Sequence, residues 1–240
     1  MKDCREYTID AQGTDVGRVR GFFFDDLTWT IRYIVVATGA LMGGREVLIS
    51  TAVVKKRGWS PLHIRVSLQR EQVESAPPID LHAPISRRGE IEHHDHYGLP
   101  YYWEQAQSAT RAPASADVET HLRSSEECCG YKVLATDGEI GSVDDFLFDE
   151  QSWKIRWAIV NTDGWLLGKR VLISPRWIRE VDWPQRTIHV SLSSDRVKAS
   201  PKWDPDKPVN RKYELELHKH YQLAPYWTDI GDESAETRIE

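Results

Sequence analysis

Residues His93 to Trp103 read HHDHYGLPYYW and concentrate the side chains best suited to chemistry. Zinc takes three or four histidine, cysteine or carboxylate ligands in a tetrahedral arrangement. His94 and His96 offer two, and Asp95, His93 or a nearby glutamate offers a third. A His-x-His pair turns both rings to one side only in an extended segment, because a helix brings together residues four apart. The aromatic side chains Tyr97, Tyr101, Tyr102 and Trp103 follow at once.

A second version of this stretch, HKHYQLAPYW, spans residues 218–227. His218, His220, Tyr221, Tyr226 and Trp227 recur, but Lys219 stands for Asp95 and Leu217 for His93. Those changes remove half of the potential ligands. A metal site built on His94, His96, His218 and His220 therefore needs both copies. The preferred reading is packing, in which each His-x-His-Tyr bonds to backbone or carboxylate groups and seats its aromatics. Tyr97, Tyr102, Trp103, Tyr221, Tyr226 and Trp227 are then expected to hold a closing arm against its own sheet or the other copy, rather than to anchor a partner.

The repetition runs through the whole chain. Shifted by 124 residues, VGRVRGFFFDDLTWTIRYIVVAT (16–38) lies over IGSVDDFLFDEQSWKIRWAIVNT (140–162) without a gap. REVLIS (45–50) lies over KRVLIS (169–174), and Cys4 falls on Cys128. A period this long is a duplicated domain, not a solenoid unit. The expected organisation is a first repeat at 1–103, a linker at 104–124 rich in Ala, Ser and Thr, a second repeat at 125–230 and a tail at 231–240. Two like copies in one chain are expected to pack as a pseudo-dimer.

The elements that must carry the arms are strands. Trp153, Ile155, Trp157 and Ile159 share one face by alternation, as do Trp29, Ile31, Tyr33 and Val35. The opposite face opens polar with Thr30 and Arg32 and turns apolar with Ile34 and Val36, as expected of a strand that enters cover partway along. Gly17 and Gly141 hold matching places where a turn or bulge needs unusual backbone angles. Short strands ending at turn chemistry, followed by one or two helical turns stopped by proline, give a mainly β class: two small β-barrels in tandem, each with short helical C-terminal additions.

The Gly-x-Val-x-x-Phe-x-Phe-Asp strand (Gly17–Asp25, Gly141–Asp149), the Trp-x-Ile-Arg strand after it and the VLIS strand resemble the PRC-barrel family. That resemblance covers both copies. It implies a small barrel used for binding and assembly, without a shared catalytic apparatus. Its members include the cytoplasmic domain of the photosynthetic reaction centre H subunit and the C-terminal domain of a ribosome maturation factor.

Composition narrows the function classes. The 240 residues carry a net charge of −6, which gives no electrostatic footprint for nucleic acid. Three cysteines, two of them adjacent, make no disulfide framework and suit a reducing compartment. No apolar run is long enough to span a bilayer, so membrane contact is expected only through a partner. No phosphate loop, nucleophile elbow or Cys-x-x-Cys pair is present. The acidic groups Asp25-Asp26, Asp144-Asp145 and Asp149-Glu150 are read as solvated hairpin ends. The expectation is a cytoplasmic, non-enzymatic binding or assembly module without a cofactor. Its contact candidates lie in the glycine-bearing loops, at Leu41, Met42, Trp165, Leu166 and Leu167. The alternatives are a peripheral component of a photosynthetic or electron-transfer complex at the inner membrane, and a metal-binding protein or enzyme.

Overall fold

The structure, a computed structural model, describes residues 1–39, 44–77, 79, 85–106, 121–162 and 169–228. It divides into two compact units, one of Met1–Cys129 with Asp145–Arg156, the other of Gly130–Asp144 with Trp157–Glu240. The hairpin tip of the second repeat thus belongs to the first unit.

The first repeat contributes strands β1 (Thr8–Ala11), β2 (Thr14–Asp25), β3 (Thr30–Thr38), β4 (Glu46–Ser50), β5 (Val54–Ser60) and β6 (His63–Val66). Helices α1 (Arg70–Glu74), α2 (Arg87–Tyr97) and α3 (Tyr102–Ala106) follow, then β7 (Leu122–Ser124) and the single turn α4 (Ser125–Cys128). The second repeat gives β8 (Lys132–Ala135), β9 (Gly138–Phe148), β10 (Ile155–Asn161), β11 (Arg170–Ile173), β12 (Ile178–Asp182), β13 (Thr187–Val190), α5 (Ser194–Lys198) and α6 (Arg211–Tyr221).

The strand order is β4-β3-β2-β1-β6-β5 in one sheet, with β7 added to β2, and β11-β10-β9-β8-β13-β12 in the other. Both sheets are mixed, because β1 runs parallel to β6 and β13 parallel to β8. The class is therefore mainly β, with short helices. Neither sheet closes into a barrel, however. The end strands β4 and β5 are joined by a 3-10 turn at Thr51–Val53 and not by a ladder. Ser50 Oγ accepts from the Ala52 amide at 3.2 Å, and Ser174 Oγ from the Arg176 amide at 3.4 Å. That cap turns the chain out of the sheet in each repeat.

The alternation read from the sequence places the core. Ile31, Tyr33, Ile34, Val35 and Val36 are buried in β3, whereas Thr30 and Arg32 at its start are only partly covered. Gly17 and Gly141 sit at β-bulges. Ile9 pairs with Gly17 while Asp10 pairs with Asp15, which leaves Val16 as the extra residue. Val133 and Leu134 face Gly141 and Glu139 in the same way.

The end of the stretch read as a linker is a strand: β7 packs Leu122, 3% exposed, among Phe23, Tyr33, Val35, Leu48 and Ile85. Residues 107–120 lie outside the described residues, as does the tail from 229.

In the first unit the two hairpin tips meet by reciprocal hydrogen bonds. The Ile31 amide donates to Trp153 O and the Ile155 amide to Trp29 O, each at 2.8 Å. Trp29 and Trp153 both take left-handed φ values, 53° and 59°. Each ring stacks on the phenylalanine five residues earlier, at centroid distances of 5.3 Å and 5.5 Å.

Candidate functional site

The histidine arm is a helix. Helix α2 starts where Ser86 Oγ accepts from the Gly89 amide at 3.2 Å, and it stops at Gly98 in the left-handed region, φ 63°. Arg87, Glu90 and His94 follow one another at spacings of three and four, which places them on one helical face. That face is turned to the sheet: Arg87, Glu90, His93, His94 and Tyr97 are all buried.

The buried face holds a polar clasp. Tyr33, reaching from β3, lies 3.0 Å from Glu90 Oε1 and 2.9 Å from His94 Nε2. Tyr102 donates to the same Glu90 oxygen at 2.6 Å, and Arg87 Nη1 donates to Glu90 Oε2 at 2.5 Å. The Arg87 guanidinium lies 4.1 Å from the Trp103 ring centroid, and Arg32 lies 4.1 Å from that of Tyr102. His94 Nδ1 is 2.9 Å from the Pro100 carbonyl.

The protons of this network can be counted. A carbonyl only accepts, so His94 Nδ1 carries the ring proton and Nε2 accepts from Tyr33. Burial lowers the pKa of His94, which keeps the ring neutral. Tyr33 has one proton to share between His94 Nε2 and Glu90 Oε1, both of which accept. Burial raises the Glu90 pKa, against the pull of Tyr102, Arg87 and Tyr33. Burial also raises Tyr33 and Tyr102, so both stay phenols.

The second unit repeats the clasp with one change. Helix α6 starts with Asn210 Oδ1 accepting from the Tyr213 amide at 3.0 Å and ends at Gln222, φ 56°. Trp157 replaces Tyr33 and donates its indole N–H to Glu214 Oε1 at 3.2 Å, which Tyr226 also reaches at 3.0 Å. Arg211 lies 3.4 Å from Glu214 Oε2 and 3.8 Å from the Trp227 ring centroid. Glu214 Oε1 therefore accepts from both donors. An indole has no second polar atom for His218. Its two ring nitrogens are buried without a hydrogen bond, and the ring packs on Trp157, Trp177 and Trp227.

The histidines singled out in the sequence thus go to different partners. His96 and His220 face the ends of the short helices, where Nε2 contacts Gln72 O at 2.8 Å and Arg196 O at 2.7 Å. Among the described residues no group of three or more His, Cys, Asp or Glu side chains is arranged to hold a metal ion. Tyr97 and Tyr221 are buried against their own sheets, with Tyr97 Oη 3.4 Å from Leu48 O and Tyr221 against Trp177. Leu41, Met42, Trp165, Leu166 and Leu167 lie outside the described residues.

The acidic groups have structural duties and are not simply solvated. Asp25 and Asp149 accept from loop amides, Asp26 pairs with His121 and Arg123, Asp144 pairs with Arg170, and buried Asp145 accepts from the Lys2 amide. Burial pushes the Cys4 thiol up to about 11 and raises Cys128 further, so neither is a ready thiolate.

Tyr33, Arg87 and Glu90, with Trp157, Arg211 and Glu214, are the site residues that the sequence reading did not single out. The signal was present: Arg-x-x-Glu-x-x-x-His recurs at 87–94 and 211–218.

His93 is the weak point of the first arm. It is 1% exposed, neither ring nitrogen has a partner, and burial pushes its pKa down to about 3. Leu217 fills the matching place in α6. His93→Leu is expected to stabilise the protein by about 1–3 kcal/mol at neutral pH, the usual cost of an unsatisfied buried polar group. Thermal melts of both proteins check this. Unchanged or lower stability would mean that the ring has a partner.

The same rings fix a pH dependence. The pKa values of His93, His94 and His218 are all lowered by burial. Their contribution is therefore complete above the ordinary value of about 6.5 and is lost as pH falls through the folded values. Glu90 has the opposite sign, because a raised carboxyl contributes most below its ordinary value and less as pH rises. With three rings against one carboxyl, melting temperature is expected to fall from pH 7 to pH 4. His93→Leu should make that fall shallower, since one proton fewer is taken up on unfolding. An acid limb of equal slope in the two proteins would contradict the assignment.

Two mixed sheets, each carrying a helical arm pinned by an Arg-Glu-Tyr clasp whose arginine is buried at Arg87 and exposed at Arg211, define a mainly β class whose arm polar groups are used in packing. Residues 123–197 match the family model of the PRC-barrel domain, so the chain carries one PRC-barrel domain there. A search of the curated proteins found no match.

Proposed function

We propose that the chain is a tandem PRC-barrel protein acting as a non-enzymatic protein-binding or assembly module. In this reading residues 8–66 form a second copy of the domain matched at 123–197. One observation carries it: the strand order and the arm clasp recur at the 124-residue shift, and the polar groups best suited to chemistry are spent on holding the arms. The reciprocal Ile31–Trp153 and Ile155–Trp29 hydrogen bonds, all within the first unit, tie matching positions of the two repeats to each other. Among the described residues no helix is long and apolar enough to cross a membrane.

The test is capture of partners from native extract on the untagged, immobilised chain, followed by rebuilding each complex from pure components. The expected result is one saturable complex of fixed stoichiometry. Candidates that all fail to rebind as pure proteins would contradict the reading.

A further inference from the structure

Among the described residues, strand β2 has a partner that its counterpart lacks. β7 pairs antiparallel with the end of β2, Phe23 with Ser124, Phe24 with Arg123 and Asp25 with Leu122. The Asp26 amide then donates to His121 O at 2.8 Å. Arg123 and His121 hold the Asp26 carboxylate at 2.9 Å and 3.0 Å, while Leu122 enters the core.

Moved by 124 residues, this edge is Leu147, Phe148 and Asp149, followed by Glu150. Among the described residues β9 has only β8 and β10 as neighbours, and the β8 ladder ends at Ser142. Phe23, Phe24 and Asp25 are buried, but Leu147, Phe148 and Asp149 are only half-buried. The path to this edge is also present. The main-chain nitrogen of Met1 donates to Phe146 O at 2.7 Å. Met1 is the register mate of Ser125, which directly follows β7 and whose Oγ accepts from the Phe22 amide at 3.3 Å. A strand laid on 147–149 would extend that path backwards, antiparallel to β9.

An unpaired strand edge is a template for another chain. Main-chain hydrogen bonds then give affinity, and alternate side chains give specificity. We propose that the Leu147–Asp149 edge of β9 takes a short antiparallel strand from a partner polypeptide. That strand places an apolar side chain opposite Asp149 and a basic one opposite Phe148, where it reaches Glu150. β7 fixes the register, and Glu150, standing in the place of Asp26, fixes the charge. The inference rests on the binding-module reading for its purpose and names one surface for it.

The probe is a blocked peptide of the chain's own sequence HLRS, residues 121–124, titrated into the full chain and followed by amide chemical shifts. Saturable binding is expected, with a dissociation constant on the order of 100 μM for so short a strand, and with shifts centred on 146–150. Arg123→Glu in the peptide, or Glu150→Lys in the chain, should weaken binding at least about tenfold, and the two together should restore it. A chain extended by HLRS ahead of Met1 should fill the edge, melt higher and no longer bind the peptide.

Absence of saturation up to about 5 mM would overturn the proposal. So would equal binding to the extended chain, or a parent dimer that the peptide dissociates, which would make a second copy the occupant. A peptide that binds while every purified candidate partner fails would uphold the edge and strike the module reading. The reverse would uphold the module reading and strike the edge.

Discussion

Replacing Glu90 by alanine is expected to cost about 3–5 kcal/mol, the loss typical of breaking a buried ion pair from one side. The carboxyl accepts from Tyr102 and Arg87 and contacts Tyr33, and it is fully buried. Alanine would leave a buried guanidinium and two phenols short of partners and would loosen α2 from β3 and α3. Glu90→Gln is expected to cost less, about 1.5–3 kcal/mol. An amide keeps the shape and one acceptor oxygen for the Tyr102 and Tyr33 phenols but loses the charge that pairs with Arg87. Urea unfolding of the three proteins at pH 7 reads both changes. If Gln is as damaging as Ala, the charge facing Arg87, and not the acceptor oxygens for the two phenols, holds the clasp.

Gly141→Ala is expected to cost about 3–5 kcal/mol, among the larger losses a single substitution produces. A Cβ built there would lie 2.1 Å from the Asn161 carbonyl oxygen, which belongs to the neighbouring strand and cannot swing away, and φ is 137°. Gly130→Ala is the control. Its φ is 88°, but nothing lies within 4 Å of the added carbon, so only the backbone penalty of about 1–2 kcal/mol applies. Thermal unfolding of the two variants separates them. Equal losses would mean that the bulge relaxes and the close approach is not what selects glycine.

Much of the fold was legible because the chain supplies its own comparison. Any residue type kept at the 124-residue shift had to serve the domain itself, which marked Gly17 and Gly141, the Trp-x-Ile strands and the closing arms. What escaped depends on contacts distant in sequence. Arg87 and Glu90 escaped because nothing local shows that Tyr33, 57 residues before Glu90, will face it. Which face of the closing helix turns inward was not legible for the same reason, since a helix that buries Arg, Glu and His lacks the apolar stripe that marks a buried face. β7 is three residues, one apolar and two polar, made into a strand by the edge it joins. Barrel closure was inferred from strand number, and the capped 3-10 turn after β4 is a tertiary choice that strand counting does not reveal.

The account turns on the arm histidines and glutamates being structural, with His94 wired to Tyr33 and Pro100 and His218 sealed among tryptophans. The most direct measurement is the metal content of the chain purified without a histidine tag, after equilibration with zinc at about 10 μM and removal of the free ion. The expected result is far less than one zinc per chain, unchanged in His94→Ala and His218→Ala. One tightly held zinc per chain, lost in either variant, would contradict the account.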